Sequence, residues 1–439
     1  MSIKFQKRQC KLSVAIICVI LLSFATGCVY YSLPPYLFFT QLTRIVAAPV
    51  FAALYASDIR DLESIISRYK VGETDRSAAD SAQTWRNLEA TIPGFQLLGI
   101  TPTSTPRRKV SFVYETADAE YLRRFREAYD LDSVIRGAKS QYEAMLGLGA
   151  WIGTRWDHGT DPLTGSRHAC DPARLVAAGE LGAKFWCEIA ARITVQAASS
   201  LGWPARVITA SRDGYAWDHG VAELWSDDFG KWFVMDTDFN VIYANGGVPL
   251  SAFELSREGL ALQHSGKLDV IAIAPPKPSL ILDGADMVAY YRYIHIDMRN
   301  DWCSRPLRRG SPAGGDLATW WMAQPDIQPI LTAKLRVDDA DSFDWPLNSV
   351  AISAVGARLQ NDGDLLVEVA LSAESPVFSH FETSLDKGSW EPVEGTTASW
   401  VLDAGMHTIS ARMVTAAGYT GRTAFVNFRL KNQKKVDYL

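Results

Sequence analysis

The chain has 439 residues, too many for one ordinary domain, and its 48% hydrophobic and 21% charged residues are the mix of a globular protein. A formal net charge of -5, with no basic block beyond the N-terminus, argues against nucleic acid as a partner. A chain of this size buries a core without staples, and it shows no phosphate loop, dinucleotide fingerprint or internal repeat. No cofactor and no resident metal are expected.

The N-terminus reads as a targeting segment. Lys4, Lys7, Arg8 and Lys11 form a basic head, and Leu12 to Thr43 carries no charged side chain. Two versions compete. Ala25-Thr26-Gly27-Cys28 resembles a bacterial lipobox, with Cys28 as the lipidated residue. Leu12 to Ser32, stopped by Pro34-Pro35, equally suits an uncleaved transmembrane helix, which needs ~20 residues. Both versions anchor the chain to the membrane and place its bulk outside the cytoplasm, on the periplasmic side of the inner membrane or in the envelope. Cys10, Cys18 and Cys28 belong to this segment, which leaves Cys170, Cys187 and Cys303 in the exported part. An odd number in an oxidising compartment suggests one pair and one free thiol, with three unpaired thiols as the alternative.

Further along, Phe51, Leu54, Ile59, Leu62, Ile65 and Ile66 predict a helix within residues 45–75. Gly72 to Ala82 and Pro102 to Pro106 read as loops, and Lys109 to Tyr114 alternates as a strand. Ala117 to Tyr129 reads as a charged surface helix. Asp132-Ser133 is placed to cap the next helix, which carries Ile135, Tyr142, Met145, Leu146 and Leu148. Leu175 to Leu201 is one long apolar-periodic helical stretch, ended by Gly202-Trp203-Pro204. Strands follow at Ala205 to Ala210, Gly220 to Trp225 and Lys231 to Asp236, the last two joined by a turn from Ser226 to Gly230.

Pro275-Pro276-Lys277-Pro278 marks a boundary or rigid bend, and residues 279–343, with their Tyr and Trp clusters, yield no assignment. From Ser349 the chain turns to short strand runs, at Val350 to Val355, Leu365 to Leu371, His380 to Leu385, Ala398 to Leu402, His407 to Val414 and Ala424 to Leu430. Their spacing predicts a β-sandwich. The segment Ser384 to Arg422 resembles the bacterial immunoglobulin-like or fibronectin-like modules of exported proteins. The 14 Trp and 16 Tyr suit a carbohydrate- or peptide-facing groove, though aromatic cores explain them equally well. The expected organisation is an anchor (1–33), an N-terminal α/β region (34–130), a central α+β domain (131–262), a connecting region (263–344) and the sandwich (345–439).

Three fragments carry chemistry. Cys187 opens the apolar face of a helix after a Gly- and Ala-rich approach, and a helix N-terminus favours a thiolate. His219 begins a strand and Asp236 ends the next. A hairpin would set them side by side, with the carboxylate fixing the imidazole tautomer. A lone buried Cys is usually inert packing, and a lone His at a strand end is usually structural. The functional reading therefore rests on three matched roles in chain order.

These fragments resemble the transglutaminase-like superfamily, which shares its core with papain-like enzymes. The resemblance runs from about Gln141 to Leu255. It is carried by Cys187 at a helix start, Gly202-Trp203-Pro204-Ala205-Arg206, His219 with Glu223-Leu224-Trp225, and Trp232 to Asp236. It implies an α+β fold: a transglutaminase-like (papain-like) core, here followed by the all-β sandwich and preceded by the membrane anchor. It further implies a Cys187, His219, Asp236 triad acting on a protein, peptide or envelope amide. Phe185 and Trp186 stand where members often have a small residue, so Trp186 becomes a candidate cleft wall. The oxyanion would be held by the Cys187 backbone N–H and an upstream indole, with Trp151 and Trp156 as candidates and core packing as the alternative for each. With Cys187 as nucleophile, Cys170 and Cys303 are left to pair.

Two weaker patterns remain. Asp157-His158 with His168-Ala169-Cys170-Asp171 matches no zinc spacing, and Asp236 to Asn240 alternates oxygen ligands without the Gly and Glu of a calcium loop. Two rival functions stand beside the enzyme. One is an envelope or polysaccharide-assembly scaffold that keeps the fold without catalysis. The other is polysaccharide binding through the C-terminal domain.

Overall fold

The computed structural model describes residues 81–102, 111–160, 170–212, 218–304, 318–322, 334–337, 340–360 and 363–431. All of these fall within one unit, Ile65–Ile327 with Lys334–Leu439. The expected anchor with Cys10, Cys18 and Cys28, the helix within 45–75, the loop after Pro102 (residues 103–106) and His168 lie outside the described residues. Among the described residues, no helix is long and apolar enough to cross a membrane.

The helices needed here are α1 (Ser81–Thr91), α2 (Glu120–Ala128), α3 (Leu131–Val134), α4 (Gln141–Gly153), α5 (Pro172–Glu180) and α6 (Cys187–Ser200). Between α1 and α2 lies β1 (Phe95–Ile100). After α6 come β2 (Ala205–Ser211), β3 (His219–Ser226), β4 (Lys231–Met235), β5 (Val241–Asn245), β6 (Val248–Pro249), β7 (Asp269–Ala272), β8 (Tyr293–Asp297), β9 (Ala318–Met322) and β10 (Lys334–Arg336). The C-terminal strands are β11 (Val350–Leu359), β12 (Leu365–Ala373), β13 (Phe378–Leu385), β14 (Glu391–Val393), β15 (Thr397–Leu402), β16 (Gly405–Thr415) and β17 (Ala424–Leu430).

The first half is built on a six-stranded sheet ordered β10-β9-β8-β2-β3-β4, antiparallel except for the β9–β10 pair. Every residue of β3 is buried. A strand buried on both faces needs cover on each, and α6 lies on one of them, its Ile193, Val195 and Ala197 sharing a core with Val207, Leu224 and Phe233. The hairpin β3–β4 pairs Ala222 with Met235 and Trp225 with Trp232. Its turn is fixed by Asp227, which accepts hydrogen bonds from Trp225 Nε1, Gln141 Nε2 and Asn348 Nδ2 at 2.7 to 2.9 Å.

The second half is a sandwich of two sheets, β1-β17-β16-β13-β14 and β11-β12-β15. All six strand runs read from the sequence lie within its strands. Alternation drives it: β12 turns Leu365, Val367, Val369 and Leu371 inward. Its core also takes Trp85 from α1, which is fully buried and donates from Nε1 to the Ile352 carbonyl at 2.8 Å. Strand β1 pairs along β17, so residues that precede the six-stranded sheet in the chain complete the sandwich.

Several local expectations are corrected. The stretch Leu175 to Leu201 is two helices rather than one. Gly182 takes φ +99, and Phe185 leaves the helical path to bridge His158. The cap of α4 is Ser140, which accepts from the Glu143 N–H, whereas Asp132 sits inside the short α3. In Lys109 to Tyr114, only Val113 of the described residues pairs, as a single bridge to Arg299. Ser81 and Ala82 open α1 instead of ending a loop. The unassigned stretch 279–343 supplies β8 beside β2, the centre of the sheet.

Candidate active site

Cys187 is the first residue of α6. Trp186 at the N-cap makes no side-chain cap, and the Ile189 and Ala190 N–H groups both reach the Trp186 carbonyl. Helix geometry therefore leaves the N–H groups of Cys187 and Glu188 without intrahelical acceptors. Unpaired N–H groups of this kind favour a thiolate or an oxyanion beside them. Cys187 is half-buried and is the free cysteine among the described residues, because Cys170 and Cys303 form a disulfide with their Cα atoms 5.4 Å apart. That disulfide is held near α6 by Gln196, whose Nε2 donates to the Cys170 carbonyl at 2.6 Å.

His219 opens β3 opposite Ala210 of β2. Its neighbour Gly220 sits at a close approach. A Cβ there would lie 3.1 Å from Glu188 Cα and 3.2 Å from its N, tighter than an ordinary contact, so glycine lets β3 press on the first turn of α6 without displacing it. His219 Nε2 donates to Asp236 Oδ2 at 2.8 Å, with both side chains buried. This leaves Nδ1 to face the thiol of Cys187, which lies within 4.8 Å of a His219 ring nitrogen. Burial pulls the His219 pKa down, but the Asp236 charge, its hydrogen bond and the Cys187 contact outweigh it and hold the pKa well above the ordinary histidine value. Asp236 is itself fixed, since its Oδ1 accepts the backbone N–H groups of Asp238 and Phe239 at 3.1 and 2.9 Å. The Phe239 ring meets the imidazole edge-on at 5.2 Å.

The indole candidates separate. Trp151 lies in an aromatic group with Phe125 and Tyr129 and is covered by the Arg155 guanidinium at 4.3 Å. Its contacts are those of helix packing. Trp156 packs against Phe185, two residues before the thiol, and its buried Nε1 has no partner among the described residues. Trp186 adjoins Cys187 and is half-buried against the helical core.

The turn after β4 carries the oxygen-rich run Asp236 to Asn240. Asp236 serves His219, Thr237 Oγ1 meets Thr194 Oγ1 at 2.7 Å, and Asn240 donates to the Gly153 and Pro275 carbonyls. Asp238 turns toward His158 and Lys277 instead. These two partners come from distant segments; the sequence offered His158 only within a weak metal pattern and Lys277 only within a Pro-rich bend. The Asp-x-Asp pair and the lone lysine of the rigid Pro275 to Pro278 run were the available signals. Asp157, from the doubtful metal pattern, binds Lys184 and Ser279, and the Ser279 hydrogen bonds hold its carboxyl well below the usual range.

Thiol, imidazole and carboxylate are also metal donors. Here Lys277 already brings a cation to Asp238 and Asp236 already engages His219, so the charges suit a thiol centre. A separate hollow of about 440 Å³, lined by Tyr114, Glu115, Tyr121, Arg124 and Asp301, shares no residue with this site.

No family model matches this chain, and no curated protein matches it. Among solved structures, a transglutaminase from red sea bream aligns with 12% identity and a TM-score of 0.21, over 80% of this chain and 79% of that one. At that TM-score the overlap carries no argument about fold or function.

Proposed function

We propose that the protein is a thiol-dependent acyl-transfer enzyme that cleaves an amide or peptide bond through Cys187, His219 and Asp236. The observation that carries this is one alignment of groups, with the thiol within 4.8 Å of an imidazole nitrogen. It runs from a half-exposed thiol at a helix N-terminus, through a buried imidazole, to a carboxylate held by two backbone N–H groups. Cys187 Sγ attacks the carbonyl carbon while its proton resides on His219 Nδ1. The Cys187 N–H, at the open end of α6, receives the oxyanion. His219 then gives the proton to the leaving amine as the C–N bond breaks, leaving a thioester. Water, or an amine, attacks that thioester, loses a proton to His219 and releases the thiolate. Asp236 holds the ring in the Nε2–H tautomer throughout and stabilises the imidazolium.

Trp156, beside Phe185, supplies the cleft wall and a second donor to the oxyanion. The transglutaminase-like, papain-related core is the fold reading that accompanies this chemistry. Export and membrane anchoring through the N-terminus remain part of the proposal, supported by the disulfide, which suits an oxidising compartment. The sandwich then serves as a spacer or a polysaccharide-binding module against the envelope.

An activated ester tests the reading without knowledge of the natural substrate. p-Nitrophenyl acetate should give a burst of one nitrophenol per chain and a thioester on Cys187 found by mass spectrometry. Cys187→Ala should lose both while keeping its melting temperature. A burst that survives in Cys187→Ala, or acetyl groups only on lysines, would refute it and favour the scaffold.

A further inference from the structure

A second buried charge flanks the triad, and the acyl-transfer steps above do not use it. Asp238 is 1% exposed. One carboxylate oxygen, the Cys187 thiol and a His219 ring nitrogen all lie within 4.8 Å of one another. Asp238 Oδ2 accepts from His158 Nδ1 at 2.8 Å, and Oδ1 faces Lys277 Nζ at 3.6 Å. Lys277 is 5% exposed, and its ammonium stands 5.1 Å from the centre of the Trp156 ring. Among the described residues, neither Lys277 Nζ nor Asp238 Oδ1 has a hydrogen-bond partner.

This pair is a poor stabiliser. Desolvation of two charges is offset only by close, hydrogen-bonded contact, which is missing here. Burial accordingly lowers the Lys277 pKa, against the pull of Asp238 and Asp236. Yet the lysine is firmly placed. Prolines flank it on both sides, the Pro275 carbonyl accepts from Asn240 Nδ2 at 2.6 Å, and the Ser279 N–H donates to Asp157 at 3.2 Å. A rigid loop thus delivers one cation to a carboxylate that faces the nucleophile.

We propose that Lys277 is a positioning residue for the Cys187 centre: its ammonium compensates Asp238, so that a thiolate can form beside a buried carboxylate. The inference rests on the thiol chemistry proposed above. The charge carried by Cys187 and His219 together is positive with both protons bound, neutral with one and negative with none. A bare carboxylate at this distance opposes each loss of a proton, and a bare ammonium favours each. The other charges facing the pair are matched. Glu188 is bound to Arg192 at 2.7 Å, Asp157 to Lys184 at 2.9 Å, and Asp236 to His219 itself, while the half-buried His158 reaches Asp238.

The test is the rate of Cys187 carbamidomethylation by iodoacetamide against pH, located by mass spectrometry in the full chain. Lys277→Met should move the reactivity midpoint up by about one pH unit and Asp238→Asn should move it down by about as much, the usual size for a charge at this range. The double variant should return near the wild type, and Lys277→Arg should stay there. A merely structural role cannot produce opposite displacements. Midpoints that stay put, or that move the same way in both single variants, overturn the proposal. Should Lys277→Met not fold, Asp238→Asn decides alone, and a midpoint that holds or rises overturns it. A wild-type thiol inert at every pH would remove the acyl-transfer function and this inference with it. A reactive wild-type thiol with unmoved midpoints removes this inference only.

Discussion

Strands β2 and β3 carry buried charge at both ends, and the two ends are built to different rules. At one end Arg206 and Glu223 are directly paired across the strands and wholly buried. Arg206 donates from Nε to Glu223 Oε2 and from Nη1 to the Phe343 carbonyl, both at 2.8 Å. The rings of Trp232 and Trp345 lie 4.1 and 4.5 Å from its guanidinium carbon, and Glu223 Oε1 accepts the Ala252 N–H at 2.5 Å. Burial raises the nearby Asp344 carboxyl to about 7, with Arg206 pulling the other way. At the other end His219, Asp236, Asp238 and Lys277 surround a half-exposed thiol, and Asp238 Oδ1, Lys277 Nζ and Trp156 Nε1 have no partners among the described residues. Saturated buried charge holds a fold together. Buried charge left incomplete beside a nucleophile sets up chemistry. The Arg206 and Glu223 of the recognised motifs therefore belong to architecture, while Cys187, His219 and Asp236 form the candidate reactive centre.

The contrast can be broken at three points. The largest effect is expected at the saturated end. Arg206→Met leaves Glu223 buried and unpaired, and should cost about 3–5 kcal/mol of stability, read as a shift in the urea midpoint. Cys187 in the remaining folded protein should keep its reactivity. A loss of reactivity without a loss of stability would contradict the division of roles.

A smaller effect is expected at Gly220. Gly220→Ala places a methyl 3.1 Å from Glu188 Cα, backbone that cannot yield cheaply. Overpacking of this kind costs about 1–3 kcal/mol. It should also part α6 from β3, so Cys187 alkylation should slow by about tenfold or more, a rise of about 1.4 kcal/mol in the barrier. An alkylation rate equal to wild type would show that the close approach is irrelevant to the thiol.

The smallest effect is on the pH dependence of folding. The folded-state pKa of His219 is raised, so its contribution to stability is fully present below the unfolded value of about 6.5. That contribution is lost as pH rises through the folded value. Asp236→Asn leaves burial as the main influence on the ring and should flatten or reverse this slope. Urea titrations between pH 6 and 9, in a Cys187→Ala background that removes the thiol, would read it. Parallel slopes with and without Asp236 would contradict the raised imidazole.

Much of this was legible in sequence because it is local. The hairpin follows from alternation around Ser226 to Gly230, and Cys187, His219 and Asp236 each stand at an element terminus marked by nearby turn residues. What failed is longer in range. Leu181 to Trp186 continues an apolar periodicity, so its departure from helix is visible only through the bridge to His158. Trp85 and β1 belong to a sandwich whose other strands begin more than 240 residues later, at Val350. The union of His158, Asp238 and Lys277 likewise joins three segments that no local pattern connects.

The central claim is that Cys187 is an activated nucleophile served by His219. Its most direct test is iodoacetamide labelling of the native, non-reduced protein below pH ~8.5, the value for a free thiol, with mass spectrometry to place the label. The account predicts selective labelling of Cys187 at neutral pH, lost in His219→Ala while the melting temperature is kept. Labelling only after unfolding, or equal labelling with and without His219, would contradict it.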